Sequence, residues 1–305
     1  MDTVANHSIS DLYKTLNLSF ENEIEFSILS VPDIHNQIPF KSPTLRADYF
    51  SFILTVEGSG VYYLDDNKFP FHSRSIYFTN PGHTKSYELQ HSKEAFIIMM
   101  TENFLREYVH QDVYDEFPYL LAEIVPPKSL STGLFSEFET LYKQIKSEFD
   151  KPSHFRYKVI GNLVGILLLK LKENYWLDYN PIIEGNRSSQ IVKSFKQLLE
   201  KEFKDIISNS MESRRLQVRD FAEKLHLHPN YLNSVIRSKT GKTINDWISE
   251  RTLNTAKYLL LNTSLSAKEI AYKLGFSEPT HFSRFFKKHQ NTTPTKFRKG
   301  HLSKK

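Results

Sequence analysis

One pattern near the C-terminal end, written twice, constrains this chain more than any other feature. In Leu216–Gly241, Val218, Phe221, Ala222 and Leu225 fall on one face of a helix. His226-Leu227-His228 reads as a short turn. Pro229 suits a first helical position, where its missing N–H would have no partner anyway. Leu232, Val235 and Ile236 continue the apolar face, and Gly241 ends it in the left-handed conformation that helix C-caps prefer. Ser266–Gln290 repeats the theme: Ile270, Ala271 and Leu274 on a first helix, Gly275-Phe276 at the turn, Pro279 opening a second helix, and Phe282, Phe285 and Phe286 inward. Ala222 stands nine positions before Tyr231, and Ala271 nine before Thr280. Each copy is helix, tight turn, helix. The second helices present Asn230, Tyr231, Asn233, Ser234 and Arg237 outward in the first copy, and Glu278, Thr280, His281, Ser283, Arg284 and Lys287 in the second.

Between the copies, Thr243–Asn262 places Ile244, Trp247, Ile248, Leu253, Ala256, Leu259 and Leu260 on one amphipathic helix. At ~1.5 Å per residue such a helix spans about 30 Å, close to the ~34 Å between successive major grooves on one side of B-DNA. Charge points the same way. Residues 187–305 hold 24 Lys and Arg against 10 Asp and Glu, whereas residues 1–186 hold 16 against 25. A basic portion joined to an acidic one implies a polyanion partner for the basic portion. A solvated basic face would give the same count, so the repeat and the helix length carry the reading.

The stretch Gln190–Arg298 resembles the DNA-binding domain of the AraC/XylS family of bacterial regulators. The resemblance rests on Ile270-Ala271, Gly275-Phe276, Phe282-Ser283-Arg284, Phe286-Lys287-Lys288, Thr293-Pro294 and Phe297-Arg298, with Arg251–Leu260 resembling the family's linker helix. Asn291 stands where the family usually has Gly, and Phe297 where it has Tyr. By position, the resemblance implies that Asn230, Asn233, Ser234 and Arg237 face one groove and Pro279, Thr280, Ser283 and Arg284 the next. Asn can read adenine and Arg guanine by paired hydrogen bonds. Arg215, Lys239, Lys242, Arg251, Lys287, Lys288, Lys296 and Arg298 are candidates for phosphate contacts, which fix register rather than sequence. Phe282, Phe285, Phe286 and Trp247 read as core. The resemblance further implies a transcription regulator, an activating role, double-stranded promoter DNA as partner and a contact with RNA polymerase.

The N-terminal part reads as strands over residues 20–100. Tyr49–Val56 is aromatic and β-branched and ends at Glu57-Gly58-Ser59-Gly60; Val61–Leu64 follows, then a turn at Asp65-Asp66-Asn67. Ser75–Thr79 meets a turn at Asn80-Pro81-Gly82, and Ala95–Met100 is a further buried strand. Short strands between such turns suggest a small sandwich or barrel. Arg46–Pro81 and Asn80-Pro81-Gly82-His83 resemble the cupin-type sensor domain common in the same family. Metal-binding cupins carry a His pair where Arg46-Ala47-Asp48 stands here, and His72, His83 and His91 form no ligand spacing, so neither metal nor cofactor is expected. A barrel mouth can hold a small effector, with Arg46, Tyr49, Tyr62, Tyr77 and His83 as candidates to line it.

Helical patterns follow at Glu102–His110, Leu134–Phe149 and Phe155–Trp176. In the last, Val159, Ile160, Leu163, Ile166, Leu167 and Leu171 sit in near-heptad register, as in the core of a domain or the seam of a homodimer, and the seam is favoured. The fold class expected is α+β: a cupin-like barrel or sandwich with a helical dimerisation segment over 1–178, a linker over 179–189, an all-helical DNA-binding domain with two helix-turn-helix units over 190–299, and a basic tail over 300–305.

The absence of cysteine removes disulfides, thiolate metal sites and cysteine nucleophiles, and with them a methyl-accepting DNA-repair protein. The polar start and the short apolar run Val159–Leu171 give no signal peptide or membrane span, so a cytoplasmic location is expected. Two other readings stay open: a regulator whose N-terminal part only dimerises, and a cupin-like enzyme with a DNA-binding tail.

Overall fold

A computed structural model of the chain describes residues 6–20, 24–34, 38–65, 67–122, 125–177, 187–208 and 214–302. Two compact units divide it, one built on residues 1–189 and the other on 190–238 and 242–305. The expected linker Tyr179–Ser189 lies outside the described residues except for 187–189, which open a helix. Of the expected tail, 303–305 lie outside them, and 300–302 are helical.

In the first unit, β1 (Asn6–His7), α1 (Ile9–Thr15), β2 (Phe26–Ser30), α2 (Val31–Ile34), β3 (Phe40–Lys41) and β4 (Leu45–Ala47) lead into β5 (Phe50–Leu64), β6 (Asn67–Phe71), β7 (Ser75–Thr79) and β8 (Thr84–Met100). Then come α3 (Glu102–Phe104), continued by a π-helical turn to Val109, α4 (Val113–Glu116), β9 (Lys128–Ser129), α5 (Thr132–Asp150) and α6 (Arg156–Tyr175). Among the described residues nine strands make one sheet in the order β1-β4-β8-β5-β7-β9. β2 and β3 also pair with β8, and β6 with β5. Among the described strands only the β1/β4 pair runs parallel.

The long antiparallel pair β5/β8 is the spine, and here the structure corrects the sequence reading. Glu57-Gly58-Ser59-Gly60 does not end a strand. β5 runs through it, and its ladder with β8 slips between Thr55 and Glu57, Glu57 and Gly58, and Ser59 and Gly60. A Cβ at Gly58 would lie 2.8 Å from the His91 carbonyl oxygen, and one at Gly60 2.2 Å from that of Glu88. The glycines let two backbones approach at bulges, where they bend a strand rather than stop it.

Period-two alternation gives β5 two distinct faces. Phe50, Phe52 and Leu54 are fully buried in one cluster with Phe26, Ile28, Ile76, Phe78, Ile98 and the helices that follow. Phe52 stacks on Phe78 at 5.1 Å. α5 opens at Ser131, whose Oγ accepts from the Leu134 N–H, and presents Phe138, Tyr142 and Ile145 to Ile160, Val164, Leu167 and Leu168 of α6. Ser51, Ile53 and Thr55, on the other face of β5, look into a cavity.

The second unit is helical throughout: α7 (Arg187–Ser208), α8 (Val218–Lys224), α9 (Pro229–Thr240), α10 (Ile244–Asn262), α11 (Ala267–Lys273), α12 (Pro279–Gln290) and α13 (Pro294–Leu302). One cluster joins Phe195, Leu199 and Phe203 of α7 to Phe221, Leu232, Ile236, Trp247, Ala256, Ile270, Phe282 and Phe286. The inward placement read for Phe282, Phe286 and Trp247 is what the structure has; Phe285 is half-buried at its edge. The α+β class, with a strand-rich N-terminal unit and an all-helical C-terminal one, agrees with the sequence reading. Among the described residues no helix is long and apolar enough to cross a membrane.

Candidate nucleic-acid interface and the cavity of the N-terminal unit

The two sequence copies share their hydrogen bonding as well as their pattern. After α8, the Leu227 N–H donates to the Ala222 carbonyl at 2.9 Å and the His226 N–H to that of Glu223 at 3.1 Å. After α11, Phe276 donates to Ala271 at 2.9 Å and Gly275 to Tyr272 at 2.9 Å. Both are Schellman closures, with His226 at φ 54° and Gly275 at φ 77° in the left-handed position. The two are not equally easy. Gly275 has to lack a side chain, since a Cβ would fall 2.3 Å from the Arg215 nitrogen. His226 holds the same conformation with a side chain, which costs about 1–2 kcal/mol.

The helix starts then differ by one residue. The turn pairs His226 with Gly275, an offset of 49, but α9 and α12 begin at Pro229 and Pro279, an offset of 50. The second turn is longer by a residue, so Tyr231 and Thr280, equidistant from their alanines, are not equivalent. Tyr231 matches His281, Asn230 matches Thr280, and Ser234 matches Arg284. The offset of 50 persists beyond the helices: Gly241 and Asn291 are both left-handed, at φ 76° and 53°. Thr243 Oγ1 accepts from the Asp246 N–H as Thr293 Oγ1 does from that of Lys296. Asn291 thus does the capping work of glycine.

On the outward side of α9, Asn230, Tyr231, Ser234 and Arg237 are exposed; on α12, Thr280, His281 and Arg284 are exposed, with Pro279 and Ser283 half-buried. Asn233 has a different task. Its Oδ1 accepts from the Ile244 N–H at 3.1 Å, at the start of α10, and a paired contact to adenine needs that oxygen.

The phosphate candidates divide sharply. Lys287, Lys288 and Lys296 are exposed. Arg215 is exposed with its guanidinium 5.0 Å from the Phe276 ring, and Lys239 is half-buried. Arg251 does not fit the expectation: its side chain is 2% exposed, 3.2 Å from Glu200, itself 4% exposed, and over the Phe203 ring. It belongs to the core because α7 covers that side of α10, bringing in the carboxylate that makes burial tolerable. Arg298 donates through Nε to the Leu260 carbonyl at 2.7 Å, satisfying the C-terminal end of α10. Lys242 pairs with Glu250 at 2.8 Å beside the Trp247 ring.

In the N-terminal unit, the sheet curls about a cavity of about 260 Å³. Of the expected lining residues, Tyr49, Tyr62 and Tyr77 line it; Arg46 and His83 do not. His83 Nδ1 is instead 2.7 Å from Asp65 Oδ2, and Thr84 bonds the other oxygen. Burial raises the Asp65 pKa, but His83 and Thr84 outweigh it and bring it to about 2.

Sequence reasoning missed Lys85. Its Nζ donates to Ser51 Oγ at 2.7 Å and Thr79 Oγ1 at 3.2 Å, and sits 4.6 Å from the Tyr49 ring centre. Burial pulls its pKa down to about 7, with the charge of Asp48 acting the other way. The signal was alternation in Lys85, Tyr87 and Leu89, all of which line the cavity. Among the described residues no His, Asp and Glu side chains gather into a group that could hold a metal.

Two tandem helix-turn-helix units on a basic, all-helical scaffold define a DNA-binding type of domain. A family model described as a helix-turn-helix domain matches residues 221–300. The Msm operon regulatory protein of Streptococcus mutans is 28% identical over 55% of this chain and 56% of its own length. The HTH-type transcriptional activator RhaR of Mannheimia succiniciproducens is 23% identical over 92% of this chain and 95% of its own. Among solved structures, the C-terminal domain of AraT from Geobacillus stearothermophilus is 29% identical, covering 38% of this chain and 88% of that one, at a TM-score of 0.33. The chain spans about half the length of the Streptococcus protein, and 12% and 20% of two further relatives. The C-terminal unit contains a helix-turn-helix domain over residues 221–300, and the relatives it resembles include regulators named for the arabinose operon and RhaR.

Proposed function

We propose that the protein is a transcription regulator: its C-terminal unit binds double-stranded promoter DNA, and its N-terminal unit receives a small effector. The observation that carries the first part is the double construction of closure, turn and Pro-initiated helix, with Asn230, Ser234 and Arg237 outward on α9 and Thr280 and Arg284 on α12. These residues read bases, with Pro279 and Ser283 packed beside them. Lys287, Lys288, Lys296 and Arg215 neutralise phosphates. The 19 residues of α10 span about 28 Å at the ideal rise, which sets two reading helices in successive major grooves. The cavity supports the second part, and the domain limits at 178 and 190 follow from the same division of labour.

Regulation is by activation, the role the name of the Mannheimia relative gives that protein, and it runs through a contact with RNA polymerase. The active form is a homodimer, because Phe155, Val159, Ile166 and Leu169 leave a largely apolar, exposed stripe at helical spacing along α6. The location is cytoplasmic, and the protein does no chemistry on its ligand. Footprinting of the purified chain on genomic DNA tests the central reading. Protected sites with paired elements about one duplex turn apart are expected. Binding that is equally tight on all sequences would remove it.

A further inference from the structure

The register of the sheet sorts the cavity wall by chemistry. Thr79, Ser51 and Met99 stand in one cross-strand row, Tyr77, Ile53 and Ile97 in the next, and Thr55 and Ala95 in the third. The first row is polar at Ser51 and Thr79, and Lys85 reaches it. The middle row is apolar. At the far end the Thr55 and Ser92 hydroxyls have no hydrogen-bond partner among the described residues. Ser51 and Thr55 are four residues apart on β5, about 13 Å along an extended strand.

Lys85 makes no ion pair with any described residue, and its Nζ contacts are two hydroxyls and one ring. Lys85 is half-buried, and drawing an ammonium part-way out of water without a paired carboxylate is costly. Each hydroxyl accepts from Nζ and has a proton to donate, that of Thr79 also facing the Tyr62 hydroxyl, while the ammonium retains a third N–H. Three donors therefore converge on one end of a cavity whose walls are mainly apolar beyond them, which is the complement of a single carboxylate on an apolar body. A phosphate, with its second charge, would find no further cation along the wall.

We propose that this cavity takes small apolar monocarboxylates, with the carboxylate held by Lys85, Ser51 and Thr79 and the apolar body along Ile53, Tyr77 and Ile97. The assignment rests on the reading of the N-terminal unit as a ligand receiver. It also couples binding to protonation. With a pKa near 7, Lys85 is mostly neutral at pH 8, and a bound carboxylate draws a proton onto it. Of the other ionisable groups around the lysine, Asp48 favours its charged form in the same sense as a bound carboxylate, Asp65 is committed to His83, and burial keeps the Tyr49, Tyr62, Tyr77 and Tyr87 phenols neutral.

The test is calorimetry on the full chain at pH 8 in two buffers of different ionisation heat. The probes are nonanoate and 3-phenylpropanoate, each against its matching primary alcohol. An acid should bind about tenfold or more tighter than its alcohol and take up most of one proton. Lys85→Met should lose both the preference and the uptake. Lys85→Arg should keep the preference without the uptake, because arginine stays charged throughout. Equal binding of acid and alcohol, a preference that survives Lys85→Met, or no binding by either acid overturns the assignment. Promoter-DNA affinity measured with and without the acid is a separate readout. An acid that binds with the stated signatures supports the assignment even if DNA affinity is unmoved, and that second result counts only against the sensing role.

Discussion

Replacing Arg251 by Met separates two accounts of the same residue. As a phosphate contact, Arg251 would be dispensable for folding. In the structure it is 2% exposed and faces a Glu200 that is 4% exposed, 3.2 Å away. Methionine fills similar volume but removes the guanidinium that faces the buried Glu200 carboxylate. Breaking one side of such a pair costs about 3–5 kcal/mol, more than the exposed pairs of this chain at about 0–1 kcal/mol each. For a unit of this size that lowers the melting temperature by roughly 12 °C or more. Glu200→Leu alone should cost a similar amount, and the double variant Glu200→Leu/Arg251→Met much less than the sum. The assay is urea unfolding followed by tryptophan fluorescence in a Trp176→Phe background, where the chain's other tryptophan, Trp247, reports on the C-terminal unit. Unchanged stability in Arg251→Met, with a salt slope of DNA binding smaller by about 0.9, would refute the reasoning.

Arg284→Ala should weaken specific binding by about 1–3 kcal/mol and relax preference at one base position, whereas Lys287→Ala should lower affinity on all sequences alike; mobility shifts on a randomised site distinguish the two. Gly275→Ala should destabilise the C-terminal unit by more than about 1 kcal/mol, from the left-handed backbone and the contact with the Arg215 nitrogen, while His226→Gly at the equivalent position should stabilise it by up to about 1 kcal/mol, as read by denaturant midpoints. Lys85 holds fewer protons folded than unfolded between its folded value of about 7 and its ordinary value near 10.5, so stability from this group rises with pH across that window. The advantage of Lys85→Met over the wild type in thermal melts should accordingly be largest near pH 7 and shrink toward pH 10.

The sequence carried the C-terminal unit far because its signals are local. Caps, turns and apolar spacing act within a few residues, and α8 to α12 lie within a residue or two of the reading. What it could not carry depends on partners distant along the chain. Arg251 and Arg298 look like any basic side chain on a helix. Glu200, brought by α7, and the open end of α10 decide that they are structural. The offset of one residue between the two turns was invisible for a related reason: Ala222 and Ala271 count correctly to the turn, but only the helix starts reveal the extra residue. In the N-terminal unit, Gly58 and Gly60 read as stops because bulges depend on the opposing strand. Lys85 escaped notice because Lys-Ser-Tyr-Glu looks solvent-exposed until β8 is seen to pair on both edges.

The two-sidedness of β5 has a mechanical corollary. Ile53 borders the cavity, while its neighbours Phe52 and Leu54 are fully buried against the helical layer that includes α5 and α6. Adjacent residues on a strand share peptide planes, so a displacement of one is felt by the next within a fraction of an ångström. In a close-packed interior, that leaves the helices to shift rather than absorb it. Whatever fills the hollow therefore leans, through a single thickness of backbone, on the helix that carries the apolar stripe.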